Sequence, residues 1–506
     1  MSSLDPVQYL KGLPLDYVTN FSRVGSYFAK DYRTMKPKKQ GVPDDVLTCI
    51  ESYNRKIKAP SLTFENIDHL KENPPIITGQ QPCLLTGPLF VMYKALTTVV
   101  LAERLNAVPV FWSASEDDDI AEVNHIWMVN SQLKKIELGL EPRPFSKIVL
   151  KKEDIDYVIT QIKTLTPSTE FREDVLDIVR KCSLTFSEMF SEVLSTLFSD
   201  YGLVVVEPHI FAELALPVYQ KLIEHPVKAV TLVNGAGDSL ERKGYKRQLY
   251  KAGNSCSFYI VFNDTRRNVT YDGKFYVEND VYTKKELLTL LDEHPECFSS
   301  TVVSRPLVQD SLFSTLGYCA GPGEVSYFAQ MKEVYHFFDI EEPYIIPRFG
   351  ATLVERKVQK VLTKYNIDVT DLREPEKVTK VLLKKGMQEF FDEKKERILK
   401  TVEELEEYAA SVDVNLKKTG AAVKTHIAND LKALEEKTVI SLKNQNRIVE
   451  EQIVKASVNV FPNRVLQERV LNVFQYIIRY RQLLNGLCKA FQQAQPGEHI
   501  LVHPGD

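Results

Sequence analysis

The sequence predicts an α/β protein: a parallel sheet covered by helices, interrupted by inserted segments and carrying a long α-helical coiled coil. Three observations predict it. Short apolar runs rich in β-branched and aromatic residues alternate with helix-length amphipathic or apolar stretches, which is the grammar of βαβ units. A heptad pattern occupies the region after residue 386. The composition, 506 residues with 44% hydrophobic and 26% charged, is that of a folded globular chain rather than a disordered, collagenous or disulfide-scaffold one.

The first seventy residues mix Pro, Lys and Tyr into every apolar run and are expected to form a helical lead-in, residues 1–70. Pro75-Ile76-Ile77 is a short buried strand, followed by the turn-rich Thr78-Gly79-Gln80-Gln81-Pro82 and Leu84-Leu85-Thr86-Gly87-Pro88. Leu89 to Leu105 has helical spacing, and Val108 to Trp112 is a second buried strand. A helix over Phe186 to Leu197 precedes a third strand, Leu203 to Val206, which ends at Glu207-Pro208-His209.

The charged stretch of about 128–200 is expected to be an insertion, as is about 256–300. In the latter, apolar runs are punctuated by Asn263-Asp264 and Asp272-Gly273 turns and predict antiparallel pairing. With these insertions the core spans 71–385. The coiled coil, 386–456, places Ile398, Val402, Leu405, Ala409, Val412 and Leu416 at steps of four and three, and Gly420 is a candidate tip between two antiparallel helices. Residues 457–506 are expected to be a helical segment over Val465 to Leu484 packing on the core, then a polar Gln-rich tail.

The net charge of −4 gives no global field for nucleic acid or an anionic membrane, and no apolar run reaches the length of a membrane span. The opening MSSLDPVQYLKG lacks the pattern of a signal peptide. Seven scattered cysteines without a C-x-x-C pair fit free thiols, so a cytoplasmic location is expected.

Generic motifs do not name a reaction. There is no Walker A loop, no H-E-x-x-H and no G-x-S-x-G, and the nine histidines do not cluster at zinc spacings. Asn234-Gly235-Ala236-Gly237 carries too few glycines for a dinucleotide fingerprint and is expected to be a loop.

Three constellations carry chemistry instead. Thr78, Gly79, Gln80, Gln81, Thr86 and Gly87 stand between a strand and a helix, where ligands of α/β sheets bind and helix amides favour anions. Glu116, Asp117, Asp118 and Asp119, with Asn124 and His125 behind them, follow a strand end. Carboxylates so crowded could meet Mg²⁺ beside a nucleotide, capture an ammonium, or supply a general base. Arg305, Gln309 and Asp310, then Gly321, Gly323, Glu324 and Tyr327, offer an anion-binding guanidinium, close backbone approach and a candidate base. An Arg305–Asp310 structural pair is an equal alternative, and Arg348 is a second anion candidate.

At these constellations the chain resembles the cysteine ligase family of bacillithiol biosynthesis, the cysteine-adding enzymes. The resemblance rests on T-G-Q-Q and L-L-T-G-P-L (Thr78 to Leu89), the acidic run after P-V-F-W with Asn124-His125, R-P-x-x-Q-D (Arg305 to Asp310), G-P-G-E-x-x-Y (Gly321 to Tyr327) and L-Q-E-R (Leu466 to Arg469). It extends over nearly the whole chain. The sequence departs from the family at Cys83, where glycine is usual, and at Asp118, where histidine is usual.

The resemblance implies a Rossmann-like core and a coiled coil supporting a homodimer. It also implies a ligase joining the carboxyl of cysteine to the amine of glucosaminyl-malate. Such a step calls for carboxyl activation, with ATP or another activated nucleotide and Mg²⁺ as the candidate cosubstrates. On that scheme Thr78, Gly79, Thr86, Gly87, Gly321 and Gly323 serve the nucleotide. Gln80, Gln81, Asn124, Arg305, Gln309, Asp310 and Tyr327 serve the substrates. Glu116, Asp117, Asp119, His125 and Glu324 are the catalytic candidates. The alternatives are a nucleotidyl or amide-forming transferase acting on other substrates, and a non-catalytic coiled-coil scaffold.

Overall fold

The computed structural model describes residues 2–445 and 447–505. The chain divides into two compact units, Met1–Leu353 with Glu468–Asp506, and Val354–Gln467.

The first unit is built on a five-stranded parallel sheet: β1 (Pro75–Gln80), β2 (Val108–Ser113), β3 (Val204–Val206), β4 (Gly317–Ala320) and β5 (Tyr344–Pro347). The spatial order is β5-β4-β1-β2-β3. This is the doubly wound arrangement in which the strand order reverses between β1 and β4, and a crevice opens at the carboxyl ends of those two strands. The strands are buried on both faces, which is why they read as unbroken apolar runs rather than alternating ones.

The helix Leu89–Leu105 follows β1 and is buried over its first fourteen residues apart from Phe90. It ends at Asn106, whose left-handed φ of 50° closes the last turn. Lys94 lies in this apolar helix at 2% exposure.

The insertion between β3 and β4 carries an antiparallel sheet formed by Ser255–Phe262, Thr265–Tyr271, Phe275–Val277, Asp280–Tyr282 and Phe298–Ser300. Its first hairpin turns at Asn263 and Asp264, both with positive φ, as the sequence predicts. Between β2 and β3 stand the ribbon His125–Val129 with Leu133–Glu137 and the helices Lys152–Leu165, Arg172–Arg180 and Phe186–Leu197.

Three expectations are corrected. Asn234 to Gly237 lies inside the helix Lys228–Arg242, not in a loop; a Cβ at Gly237 would stand 2.9 Å from Gln330 Nε2, so the glycine answers close packing. Val465 to Leu484 is not one helix but short helical turns, Gln467–Arg469 and Phe474–Ile477, before Leu483–Phe491. The polar tail is not free: His499–Val502 pairs in parallel with Gly350–Leu353.

The second unit contains Arg356–Tyr365, Pro375–Val412, Leu416–Gln445 and Arg447–Val460. Gly420 faces Glu406, and Lys424 pairs with Glu403, so partners recede symmetrically from residue 413 and the long helices run antiparallel. The reversal is Asp413 to Asn415, where the Asn415 amide donates to the Asp413 carboxylate, and not Gly420, which is inside a helix. Heptad positions remain open to solvent: Leu405 is 64% exposed and Val412 71%. No helix among the described residues is long and apolar enough to cross a membrane.

Candidate active site

A cavity of about 300 Å³ sits at the carboxyl ends of the parallel strands, at the strand-order reversal. Gly79, Gln80 and Gln81 close β1, and Glu116 and Asp117 follow β2. Tyr318 lies on β4, Glu324 just beyond it, and Arg305 and Tyr327 complete one end. Gly79 keeps the floor open, since a Cβ there would stand 3.1 Å from the Trp112 carbonyl and 3.2 Å from Tyr318 Oη.

One end of the cavity is organised around Arg305. Its guanidinium donates to Gln309 Oε1 at 2.9 Å and to Tyr327 Oη at 2.9 Å, and lies 5.2 Å from the Tyr318 ring centre. Gln309 is fixed in turn by donating to Asp310 Oδ1, which also receives Thr315, while Asp310 Oδ2 receives Tyr335. Asp310 therefore does not pair with Arg305 but orients Gln309; burial pushes its carboxyl above the usual range. The result is a largely buried cation whose hydrogen-bond partners are neutral.

Beneath this end, Lys94 Nζ contacts Glu324 Oε2 at 2.6 Å and donates to the Gly79 carbonyl. Glu324 also receives Tyr318 Oη at 2.7 Å and the Gly321 amide at 2.8 Å. Burial favours the neutral acid, yet Lys94 and these donors hold the Glu324 carboxyl below its usual range. Such an anion, filled with donors, braces the site.

At the opposite end, Glu116 Oε2 receives the Ser299 and Ser300 hydroxyls and the Ser300 amide, and burial pushes its carboxyl upward. Asp117 receives Gln81 Nε2 at 2.8 Å and Arg266 Nη1 at 2.6 Å. Arg266, from the inserted sheet, also donates to Ser299 Oγ and the Ser300 carbonyl and reaches Asp118 at 3.4 Å. It clamps the insertion onto the acidic loop.

The remaining expected residues stand elsewhere. Asp119 is exposed ahead of a short helix, Asn124 is buried with its amide on the Leu138 carbonyl, and His125 pairs across the ribbon with Glu137. Thr78 is buried with its hydroxyl on the Cys319 carbonyl. Gly321 opens the helix Pro322–Phe328, and Gly323 has open space beside it. Arg348 is not an open anion site: it is buried and paired with Glu468.

Thr86 and Gly87 belong to a turn where Leu85, Thr86 and Gly87 all take positive φ. Gly87 is required there, because a Cβ would fall 2.7 Å from that of Cys83. Asn472 holds the turn, donating to the Leu85 and Gly87 carbonyls at 2.7 and 2.6 Å. Asn472→Ala strands both carbonyls and is expected to lower stability by about 2 kcal/mol, read from the denaturation midpoint at unchanged slope. Cys83 is buried, which pushes its thiol up to about 12, so it is an inert packing group.

Comparison with known proteins places the chain in a family. Residues 6–349 match the family model described as bacillithiol biosynthesis BshC, N-terminal Rossmann-like domain, and residues 351–504 match the BshC C-terminal coiled-coil domain. The chain belongs to the BshC family. A BshC relative from Salinibacter ruber is 32% identical over 93% of this chain and 92% of its own. One from Geobacillus thermodenitrificans is 30% identical over 90% and 89%. Both carry the name "Putative cysteine ligase BshC". The Rossmann-like core and coiled coil expected from the sequence are thus those of the BshC family.

Sequence reasoning missed Lys94, Arg266, Tyr318 and Ser300. Lys94 had a signal: it is a lone cation in the apolar run Leu89 to Leu101. Arg266 had none, because its place depends on how the insertion folds back.

Proposed function

We propose that the chain joins the carboxyl of cysteine to the amine of glucosaminyl-malate, forming bacillithiol. The observation that carries this reading is Arg305, a guanidinium at the cavity wall whose hydrogen bonds go to Gln309 and Tyr327 and whose ion pairs, among the described residues, include no carboxylate. A substrate carboxylate completes it, and a malyl group has two. At the other end, the Glu116 carboxyl suits an ammonium group. The cavity is thus polarised in the sense that two amino- and carboxyl-bearing substrates require.

ATP is the activating cosubstrate in this scheme, bound against the Gly79 to Gln81 segment, with Mg²⁺ on its phosphates. Both Asp117 oxygens are already engaged by Gln81 and Arg266, so phosphate oxygens are the better ligands. The exposed heptad positions of the coiled coil support a homodimer.

The purified chain with cysteine, glucosaminyl-malate, ATP and Mg²⁺ is expected to yield bacillithiol by mass spectrometry, with each omission abolishing product. Arg305→Gln is expected to weaken glucosaminyl-malate binding by about 10- to 100-fold in calorimetry, the worth of a charged hydrogen-bond pair. Unchanged affinity would remove Arg305 from the site.

A further inference from the structure

A second cavity, of about 280 Å³, lies against the first and shares Glu116 with it. Consecutive residues after β3 line the two: Pro208 the first, His209 the second. Glu116 is the partition.

His209 is set up for proton transfer. Glu207, whose side chain is fully buried, receives Tyr53 Oη at 2.6 Å, Ser187 Oγ at 3.2 Å and Ser191 Oγ at 3.3 Å. Its Oε2 lies 3.3 Å from His209 Nδ1. The buried carboxylate thus stands beside the ring as a ready counter-charge for an imidazolium. The ring is 43% exposed while the neighbouring carboxylate is dry, so the base has a path to water.

The charge of the second cavity points to its occupant. Four carboxylates (Glu116, Glu188, Glu207 and Glu296) face two lysines, and one lysine, Lys56, is already paired with Glu188 at 2.6 Å. The compartment favours a cation, whereas the Arg305 end of the first cavity favours an anion. A molecule with carboxylates at one end and an ammonium-bearing sugar at the other matches the two compartments in sequence.

We propose that the compartment beyond Glu116 is the subsite for the amino-sugar end of the acceptor, and that His209, with the Glu207 carboxylate beside it, takes a proton from its ammonium. This rests on the functional reading above. The ammonium N–H bond breaks, its electron pair stays on nitrogen, and the proton joins Nε2 to give imidazolium. The neutral amine is then free to attack the activated cysteinyl carbon, and the imidazolium returns its proton to water.

The test uses the full-length chain labelled with ¹⁵N-histidine, the His209 signals being assigned by their loss in His209→Gln. Glucosaminyl-malate is expected to shift His209 Nε2, and malate alone is not. His209→Gln is expected to keep the affinity for glucosaminyl-malate within about threefold while kcat falls about 100-fold or more. Ala212→Phe, at the half-buried wall of the compartment, is expected to raise the KM for glucosaminyl-malate about tenfold with inhibition by malate unchanged. Binding of glucosaminyl-malate with an unmoved His209 signal, or unchanged kcat in His209→Gln, overturns the subsite alone. A wild-type chain that binds neither compound overturns the functional reading as well.

Discussion

Glu468→Gln is expected to lower the free energy of unfolding by about 3–5 kcal/mol. Arg348 follows β5 and is 7% exposed, and Glu468 is 3% exposed. The two meet through a pair of parallel contacts, Nη2 to Oε1 at 2.6 Å and Nη1 to Oε2 at 3.0 Å, and Nη1 also reaches the Phe349 carbonyl. Burial opposes the Glu468 charge, yet Arg348 holds its carboxyl below the usual range, so both groups are ionised in a dry environment. Removing one charge leaves the other without compensation, and that stranded charge supplies most of the loss. The double variant Arg348→Met with Glu468→Leu strands nothing and is expected to recover most of the stability. Urea denaturation of Arg348→Met, Glu468→Leu and the double variant gives the coupling directly. Equal losses in single and double variants would place the effect in packing rather than charge.

The same pair shows where sequence reading stops. Arg348 and Glu468 are 120 residues apart, and nothing local in either segment announces the other. By contrast, β1, β2 and the helix Leu89–Leu105 were legible because a sheet covered on both faces forces continuous apolar runs with sharp ends. The first and third constellations were legible for a related reason: glycine and paired polar residues at strand ends have few structural uses. Gln80, Gln81, Arg305, Glu324 and Tyr327 from these two, with Glu116 and Asp117 from the acidic run, converge on one cavity. His125 and Asp119 were adjacent in sequence to that loop but point into other surroundings, since a short helix and a ribbon turn the chain away after Asp118. Glycine misled twice for one reason. Gly237 and Gly420 both stand in helices against a neighbouring side chain, where the requirement is space rather than a turn.

Glu342 gives the second large effect, and it depends on pH. Its side chain is 4% exposed; Oε2 receives the Ala29 amide at 3.2 Å, while Oε1 has no hydrogen-bond partner. Burial pushes the carboxyl from the ordinary 4.5 up to about 8, with Lys332 and Lys30 too weak to offset it and Asp310 adding to it. The folded state therefore holds the neutral acid at neutral pH, whereas the unfolded chain ionises. A raised folded value means that this group's contribution is present in full below about pH 4.5 and is lost as pH rises through about 8. At pH 7 the loss amounts to about 3 kcal/mol, from 1.36 kcal/mol per pH unit above the unfolded value. Glu342→Gln keeps the shape and an oxygen for Ala29 while removing the titration. Its stability relative to wild type is expected to climb by about 3 kcal/mol between pH 4.5 and pH 7 and to level off above pH 8. Denaturant midpoints of both proteins across that range measure the difference. A flat difference would show that Glu342 is solvated and ionised in the folded protein, and the burial of Oε1 would then be the feature to revise.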